Sequence, residues 1–232
     1  HAYGDNKKLL LSRDVTARAQ ADQMRRDFVA NVSHEIRTPL TVLAGFVETL
    51  QSIPLEREEQ QQYLDLMAVQ ATRMQGLVSD LLTLSQLEGS PPPPVTESVD
   101  LKPLMAQVKS DALALSSLHG TDGQVVHAIS FNCPEMLCIG GSRAELHSAV
   151  SNLVNNAVRY TPAGGRIDVV WKINADGQAI FSVTDNGVGI AAEHLPRLSE
   201  RFYRVDRSRS RESGGTGLGL AITKHIAQRH GG

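Results

Sequence analysis

The chain has 232 residues, with 23 Lys and Arg against 25 Asp and Glu, and a formal net charge of -2 at pH 7. That balance leaves no electrostatic footprint for nucleic acid, and no run approaches the ~18 apolar residues of a membrane span. Neither nucleic-acid binding nor membrane contact by this segment is therefore expected. The two cysteines, Cys133 and Cys138, are too few for a disulfide framework and lack the partners of a zinc site, so they read as core or incidental. The length suits two domains. A start at His1 rather than Met, an end at Gly231-Gly232 without a closing element, and no signal peptide lead us to expect a fragment of a longer protein.

In chain order, Lys8 to Ser12 is a short apolar run leading into Arg13-Asp-Val-Thr16. It reads as the last strand of a preceding domain (1–14) and resembles the exit of a PAS sensory domain. Helical patterning then runs from about Thr16 to Gln51, with Phe28, Val32, Ile36, Leu40, Leu43, Val47 and Leu50 on one face. At ~100° per residue His34 lies ~200° from Val32, so it is predicted to face outward, with Thr38 one turn on and Glu35 beside it. Proline in a helix interior costs roughly 3 kcal/mol, so Pro39 predicts a kink or local opening just below His34. Ile53-Pro-Leu55 ends this helix. A second helix, from about Glu56 to Glu88, presents Tyr63, Met67, Ala71, Met74, Val78, Leu81 and Leu84 as its core face.

Two such helices joined by a short loop predict an antiparallel hairpin over residues 15–89. A lone hairpin cannot bury two long apolar faces, whereas two hairpins paired as a four-helix bundle can. A homodimer is expected. Gly89-Ser-Pro-Pro-Pro-Pro94 cannot continue a helix and marks a semi-rigid linker over 90–97.

Beyond it, residues 98–232 alternate strand and helix. Leu101 to Leu118 reads as a helix, then Gln124 to Phe131 and Met136 to Ile139 as short strands. Arg143 to Arg159 follows as a helix, with Ser142 as N-cap and Glu145 placed for a capping box. Arg166–Ile173 and Ala179–Thr184 alternate as strands around the turn Asn174-Ala-Asp-Gly177, and Leu218 to Arg229 is a last helix. The order predicts a two-layer α/β sandwich, with helices on one face of a mixed sheet.

Four clusters here carry polar chemistry. Asn152, Asn156 and Arg159 fall on one side of their helix, either as an exposed polar face or as amides suited to a hard cation such as Mg2+. Asp185-Asn-Gly187-Val-Gly189 at a strand end is either a plain turn or a carboxylate for an exocyclic amine, with glycines permitting close approach. Gly214-Gly215-Thr216-Gly217-Leu218-Gly219 opens a helix, a setting suited to phosphate, although it lacks the Walker pattern and follows a loop rather than a strand. Arg201-Phe202-Tyr203-Arg204-Val-Asp206 precedes a basic, serine-rich stretch, Arg207 to Arg211, that reads as a solvated loop or a lid, with Phe202 anchoring its base.

Ser33-His-Glu-Ile-Arg-Thr-Pro-Leu40 resembles the phosphoacceptor motif of two-component sensor histidine kinases. The four later clusters, in order and spacing, resemble the ATP-binding domain of the histidine kinase, gyrase and Hsp90 superfamily. Together the likeness covers nearly all of residues 15 to 232. Glu200-Arg-Phe-Tyr-Arg-Val-Asp206 and Arg13-Asp-Val-Thr16 look most like the branch concerned with phosphate starvation.

The resemblance implies that His34 takes the γ-phosphoryl group of ATP, with Glu35 accepting from its other ring nitrogen. Asn156 would ligate Mg2+ with Asn152 assisting, Asp185 would bind adenine in a pocket shaped by Gly187 and Gly189, and Tyr160 would pack near the base. Arg159 and Arg204 would neutralise phosphate charge, beside the loop Gly215, Thr216, Gly217, Leu218 and Gly219. Arg159 stands where the family often has Lys. The phosphoryl group would pass to an aspartate in the receiver domain of a response regulator, and Thr38 would help dephosphorylate that regulator. The chain would be the cytoplasmic portion of an inner-membrane sensor. The family's ATP domain continues past the last helix, so a domain truncated at Gly232 is expected to bind ATP weakly or to have a disordered lid, unless the chain runs on. Two alternatives stay open: a non-catalytic dimerisation and docking piece, and an ATPase or serine kinase that does not use His34.

Overall fold

The computed structural model describes residues 16–94, 97–118, 120, 126–134, 138–206 and 215–232. The expected strand at Lys8–Ser12, the basic stretch Arg207–Arg211, Gly214 and the first residues of the strands expected from Gln124 and Met136 lie outside the described residues. The chain divides into two compact units, residues 1–74 and 75–232.

The first unit is a helical hairpin of α1 (Thr16–Ser52) and the first half of α2 (Arg57–Gly89). Glu58 and Glu59 in the first turn of α2 complement the helix dipole, and a Glu59 oxygen accepts the Glu56 N–H at 3.1 Å. Two contacts fix the antiparallel register: Phe46 meets Tyr63 edge-on at 5.5 Å, and further along Glu35 meets Arg73 at 3.4 Å. The opening expected at Pro39 does not form, because α1 stays helical through it and the proline ring is buried. The Thr38 and Thr41 hydroxyls bond back to the His34 and Arg37 carbonyls at 3.1 and 3.0 Å around it.

Pro39 and Phe46 face inward where Leu40 and Val47 were expected; those two are 49% and 39% exposed. At these two turns the inward position falls one residue, or ~100°, earlier than predicted, while Phe28, Val32, Ile36, Leu43 and Leu50 are half-buried as expected. On α2, Tyr63, Met67 and Met74 face inward as expected, but Ala71 is exposed. Met24, Val29, Leu40, Val47, Leu64, Leu66 and Val69 leave a second apolar surface outside the hairpin.

The second unit begins within α2, whose Leu77, Leu84 and Leu87 are buried. Val78, expected in the core, is 46% exposed because its neighbour Leu77 takes the inward position. The elements that follow are β1 (Ser98–Asp100), α3 (Leu101–Ser117), β2 (Ala128–Asn132), β3 (Cys138–Gly140), α4 (Arg143–Tyr160), β4 (Arg166–Ile173), β5 (Ala179–Asp185) and α5 (Gly219–Arg229). β1 pairs antiparallel with β3, and β2-β4-β5 form a mixed sheet, parallel then antiparallel. The two-layer α/β sandwich predicted from element order is thus formed.

Its core joins Leu101, Leu104 and Val108 of α3, Val150, Val154 and Val158 of α4, and Ile167, Val169 and Trp171 of β4. Each fully buried leucine or isoleucine contributes about 1.5–3 kcal/mol. Trp171 stacks at 4.9 Å on Phe181 of β5. Cys133 packs against this core and Cys138 is exposed; both are free. The β4–β5 turn closes on Asn174, whose side-chain oxygen accepts from Asp176 and Gln178 N–H at 3.1 and 2.8 Å, with Gly177 at φ 77°.

Asp100 caps α3, accepting from Lys102 N–H at 2.9 Å, and Ser142 caps α4, accepting from Glu145 N–H at 3.4 Å. The other half of the predicted capping box is not made. The Ser142 N–H instead donates to His230 Nε2 at 3.2 Å, because the Glu145 carboxylate is held by Arg229. Strand β1 and a 3-10 turn at Ala192–Arg197 were not anticipated.

Candidate functional site

In the first unit, His34 and Thr38 are exposed on α1, as their spacing from the apolar face requires. Glu35 is half-buried and its carboxylate meets the Arg73 guanidinium of α2. The Thr38 hydroxyl is bound to the His34 carbonyl. Pro39 has no N–H, so it cannot give the Glu35 carbonyl its usual helical donor. An exposed imidazole, an oriented carboxylate and a rotatable hydroxyl thus share one short stretch of helix.

In the second unit, four sequence clusters far apart in the chain come together. The β5 end carries Asp185, whose Oδ1 accepts the Gly187 N–H at 2.9 Å and so sets the turn. That turn lies against the end of α4: a Cβ at Gly187 would fall 2.5 Å from the Tyr160 carbonyl oxygen, which accepts the Val188 N–H at 3.5 Å. Gly189, with φ 70°, has open space where a Cβ would stand. At the other end of the polar face of α4, a Cβ on Gly219 would fall 2.7 Å from Asn152 Oδ1. Only glycine lets α5 begin this close to the amide.

The loop before α5 is braced from the aromatic segment. Phe202 takes a left-handed φ of 63° and its N–H donates to the Gly217 carbonyl at 2.8 Å. This is the anchoring expected of Phe202, achieved through backbone strain. A Cβ on Gly217, where φ is 74°, would meet Phe202 Cα at 3.0 Å and Arg204 Nε at 3.2 Å. Gly215 and Thr216 are half-buried beside them. Thr216 Oγ1 accepts the Leu218 N–H at 3.2 Å, and the Leu218 side chain is wholly buried, so only its backbone can serve a ligand.

Asn156 and Arg159 are half-buried on the same face of α4 as Asn152, as their i, i+4, i+7 spacing predicts. Arg159 Nε is buried without a hydrogen-bond partner among the described residues. Burial holds this guanidinium below its ordinary pKa against the opposing pull of Tyr160 and Asp80. No group of three or more His, Cys, Asp or Glu among the described residues could hold a metal ion. A divalent ion here would therefore need ligand oxygens besides the Asn156 amide.

Sequence reasoning missed the end of α2. Asp80 accepts from Thr216 Oγ1 at 2.6 Å, and burial pushes its carboxyl above the ordinary 3.8 despite Thr216 and Arg159. Glu88 pairs with Arg201 and stands 3.7 Å from His225. The signal was present: Asp80 follows Leu77 by three residues and precedes Leu84 by four, an acid on a core face.

Residues 24–90 match the His Kinase A (phospho-acceptor) domain, and residues 141–232 match the histidine kinase-, DNA gyrase B- and HSP90-like ATPase family. The phosphate regulon sensor protein PhoR of Pseudomonas aeruginosa is 49% identical over 229 residues, covering 98% of this chain and 50% of that protein. PhoR of Haemophilus influenzae is 36% identical over 231 residues, covering 99% and 52%. The solved structure of full-length ShkA in complex with AMPPNP is 27% identical, with a TM-score of 0.58, covering 88% of this chain and 41% of that one. The chain spans about half the length of the curated relatives it matches.

Proposed function

We propose that this chain, which belongs to the sensor histidine kinases of two-component systems, binds ATP in its second unit and carries the γ-phosphoryl group on His34. The observation that carries this reading is the meeting of the α4 amide face, the Asp185 turn and the start of α5, around an arginine with an orphaned buried donor.

Asp185 accepts from the exocyclic amine of adenine, while Gly189 leaves room for the ring, Gly187 lets the turn close on the Tyr160 carbonyl and Tyr160 flanks the base. The N-terminus of α5, with Gly215 to Gly219, presents backbone donors to phosphate. Arg159 and Arg204 neutralise charge there, and Arg159 gains the partner its Nε–H lacks. Asn156, assisted by Asn152, would supply amide oxygen to Mg2+, and the ion would offset phosphate charge. Arg73 keeps Glu35 oriented. Glu35 holds a proton on one imidazole nitrogen of His34, so the other attacks the γ-phosphorus as the bond to the β,γ-bridging oxygen breaks. The same imidazole then passes the phosphoryl group to an aspartate of a regulator receiver domain.

The apolar surface left by Leu40, Val47, Leu64 and Val69 supports a homodimer through the hairpins. Thr38, once rotated off the His34 carbonyl, orients water for regulator dephosphorylation. The likeness to the two PhoR proteins supports a role in phosphate-starvation signalling, as the cytoplasmic part of a membrane-anchored sensor. No helix among the described residues is long and apolar enough to cross a membrane.

Incubation with Mg2+ and ATP labelled on the γ-phosphate tests the reading. Acid-labile label on the chain and none on His34→Gln is expected. Acid-stable label would point to a serine kinase, and no label without nucleotide-dependent stabilisation to a docking module.

A further inference from the structure

The reading above gives Asp80 no role. It stands on α2 on the face of the buried Leu77 and Leu84, where a carboxylate is costly unless it is partnered. Its partners are informative. Thr216 Oγ1 donates to it at 2.6 Å, and Arg159 supplies positive charge nearby. Arg159 is assigned above to phosphate, and Thr216 lies in the loop assigned to it, with a hydroxyl that could donate there too. Thr216 Oγ1 also accepts the Leu218 N–H at the start of α5, so Asp80 reaches the helix end where unpaired amides and the positive dipole gather.

We infer that Asp80 is a built-in anion at the phosphate end of the nucleotide site, holding Thr216 in the neighbourhood of Arg159 until a nucleotide phosphate displaces it. The inference rests on the nucleotide-binding reading. A threonine hydroxyl has one proton, and given to Asp80 it cannot be given to phosphate. Two anions at one guanidinium also repel each other. By linkage, nucleotide loosens the Asp80–Thr216 contact by the same factor that Asp80 weakens nucleotide binding. The last turns of α2 thereby register whether the site is filled. Glu88, two turns on, holds the same stretch of helix through Arg201 and His225, neither of which is assigned to phosphate, and so provides the control.

The test is calorimetric titration of the full chain and its Asp80→Asn, Asp80→Ala and Glu88→Gln variants with Mg-ADP and with adenosine. Both Asp80 variants are expected to bind Mg-ADP about tenfold more tightly, equivalent to about 1.4 kcal/mol, with adenosine affinity unchanged and Glu88→Gln within about twofold of the parent. Unchanged or weaker Mg-ADP binding by the Asp80 variants overturns the inference and leaves the nucleotide reading standing. An equal gain for Glu88→Gln or for adenosine also overturns it, since loosening of α2 would then be the cause. Absence of Mg-ADP and adenosine binding in every form overturns both.

Discussion

Replacing Arg229 by Met removes a guanidinium that joins three parts of the second unit. Its Nε and Nη2 donate to the Glu145 carboxylate at 3.1 and 2.9 Å, and Nη1 and Nη2 donate to the Leu87, Ser90 and Pro91 carbonyls at 3.0, 2.6 and 2.8 Å. The Arg229 and Glu145 side chains are only 11% and 19% exposed, so the variant strands a largely buried carboxylate. Breaking such a pair costs about 3–5 kcal/mol. His230, 3.8 Å from Glu145, and water at the exposed Ser90 and Pro91 carbonyls place this case near 3 kcal/mol, the lower end of that range. Trp171, the single tryptophan, is buried in the core of this unit, so its fluorescence during urea unfolding reports on that core. With a slope near 2 kcal/mol/M, the midpoint should fall by about 1.5 M. In a Glu145→Gln background the same change should cost about half as much, because no charge is left behind. A midpoint shift under about 0.5 M for Arg229→Met alone would refute the reasoning.

Gly187→Ala drives a Cβ to 2.5 Å from the Tyr160 carbonyl, a backbone atom that cannot swing aside. A loss of about 1–3 kcal/mol in urea unfolding is expected, with weakened adenosine binding in titration. Asp80→Asn should alter the pH dependence of stability. The folded carboxyl is raised above its ordinary 3.8, so the folded chain binds more protons in that window and the parent loses stability as pH rises through it. The variant lacks that loss, so its advantage should grow as pH rises through the window; a flat or reversed difference would mean Thr216 and Arg159 outweigh burial. Thr38→Ala should retain acid-labile labelling of His34 while regulator dephosphorylation falls by about tenfold or more, measured with phosphorylated regulator.

Local pattern carried most of the fold. The α4 apolar face, the cap at Ser142 and the alternation of β4 around Asn174–Gly177 are short-range signals, and the elements formed within a residue or two of where they were read. Apart from the opening expected at Pro39, what failed was non-local. Strand β1 has three residues and exists only through its pairing with β3, about forty residues away. Leu77 and Val78 are both apolar, and only packing decides which turns inward. In the candidate site, residue types and spacing showed which groups could serve phosphate. They could not show that Thr216 is already engaged by an acid on another helix.

The His230–Ser142 bond has a consequence for how this unit is made. Nε2 accepts the Ser142 N–H, so the ring proton is on Nδ1, which donates to the Ile226 carbonyl at 2.8 Å. The amide of Ser142, the cap residue of α4, therefore waits for a side chain 88 residues downstream. During vectorial synthesis at about 5–20 residues per second, α4 emerges several seconds before His230. The nascent segment can already pack its apolar stripe on α3 and β4, but the amide at its amino end stays without this partner until α5 arrives. Amide exchange at Ser142 in stalled nascent chains should thus stay fast until His230 has cleared the ribosome.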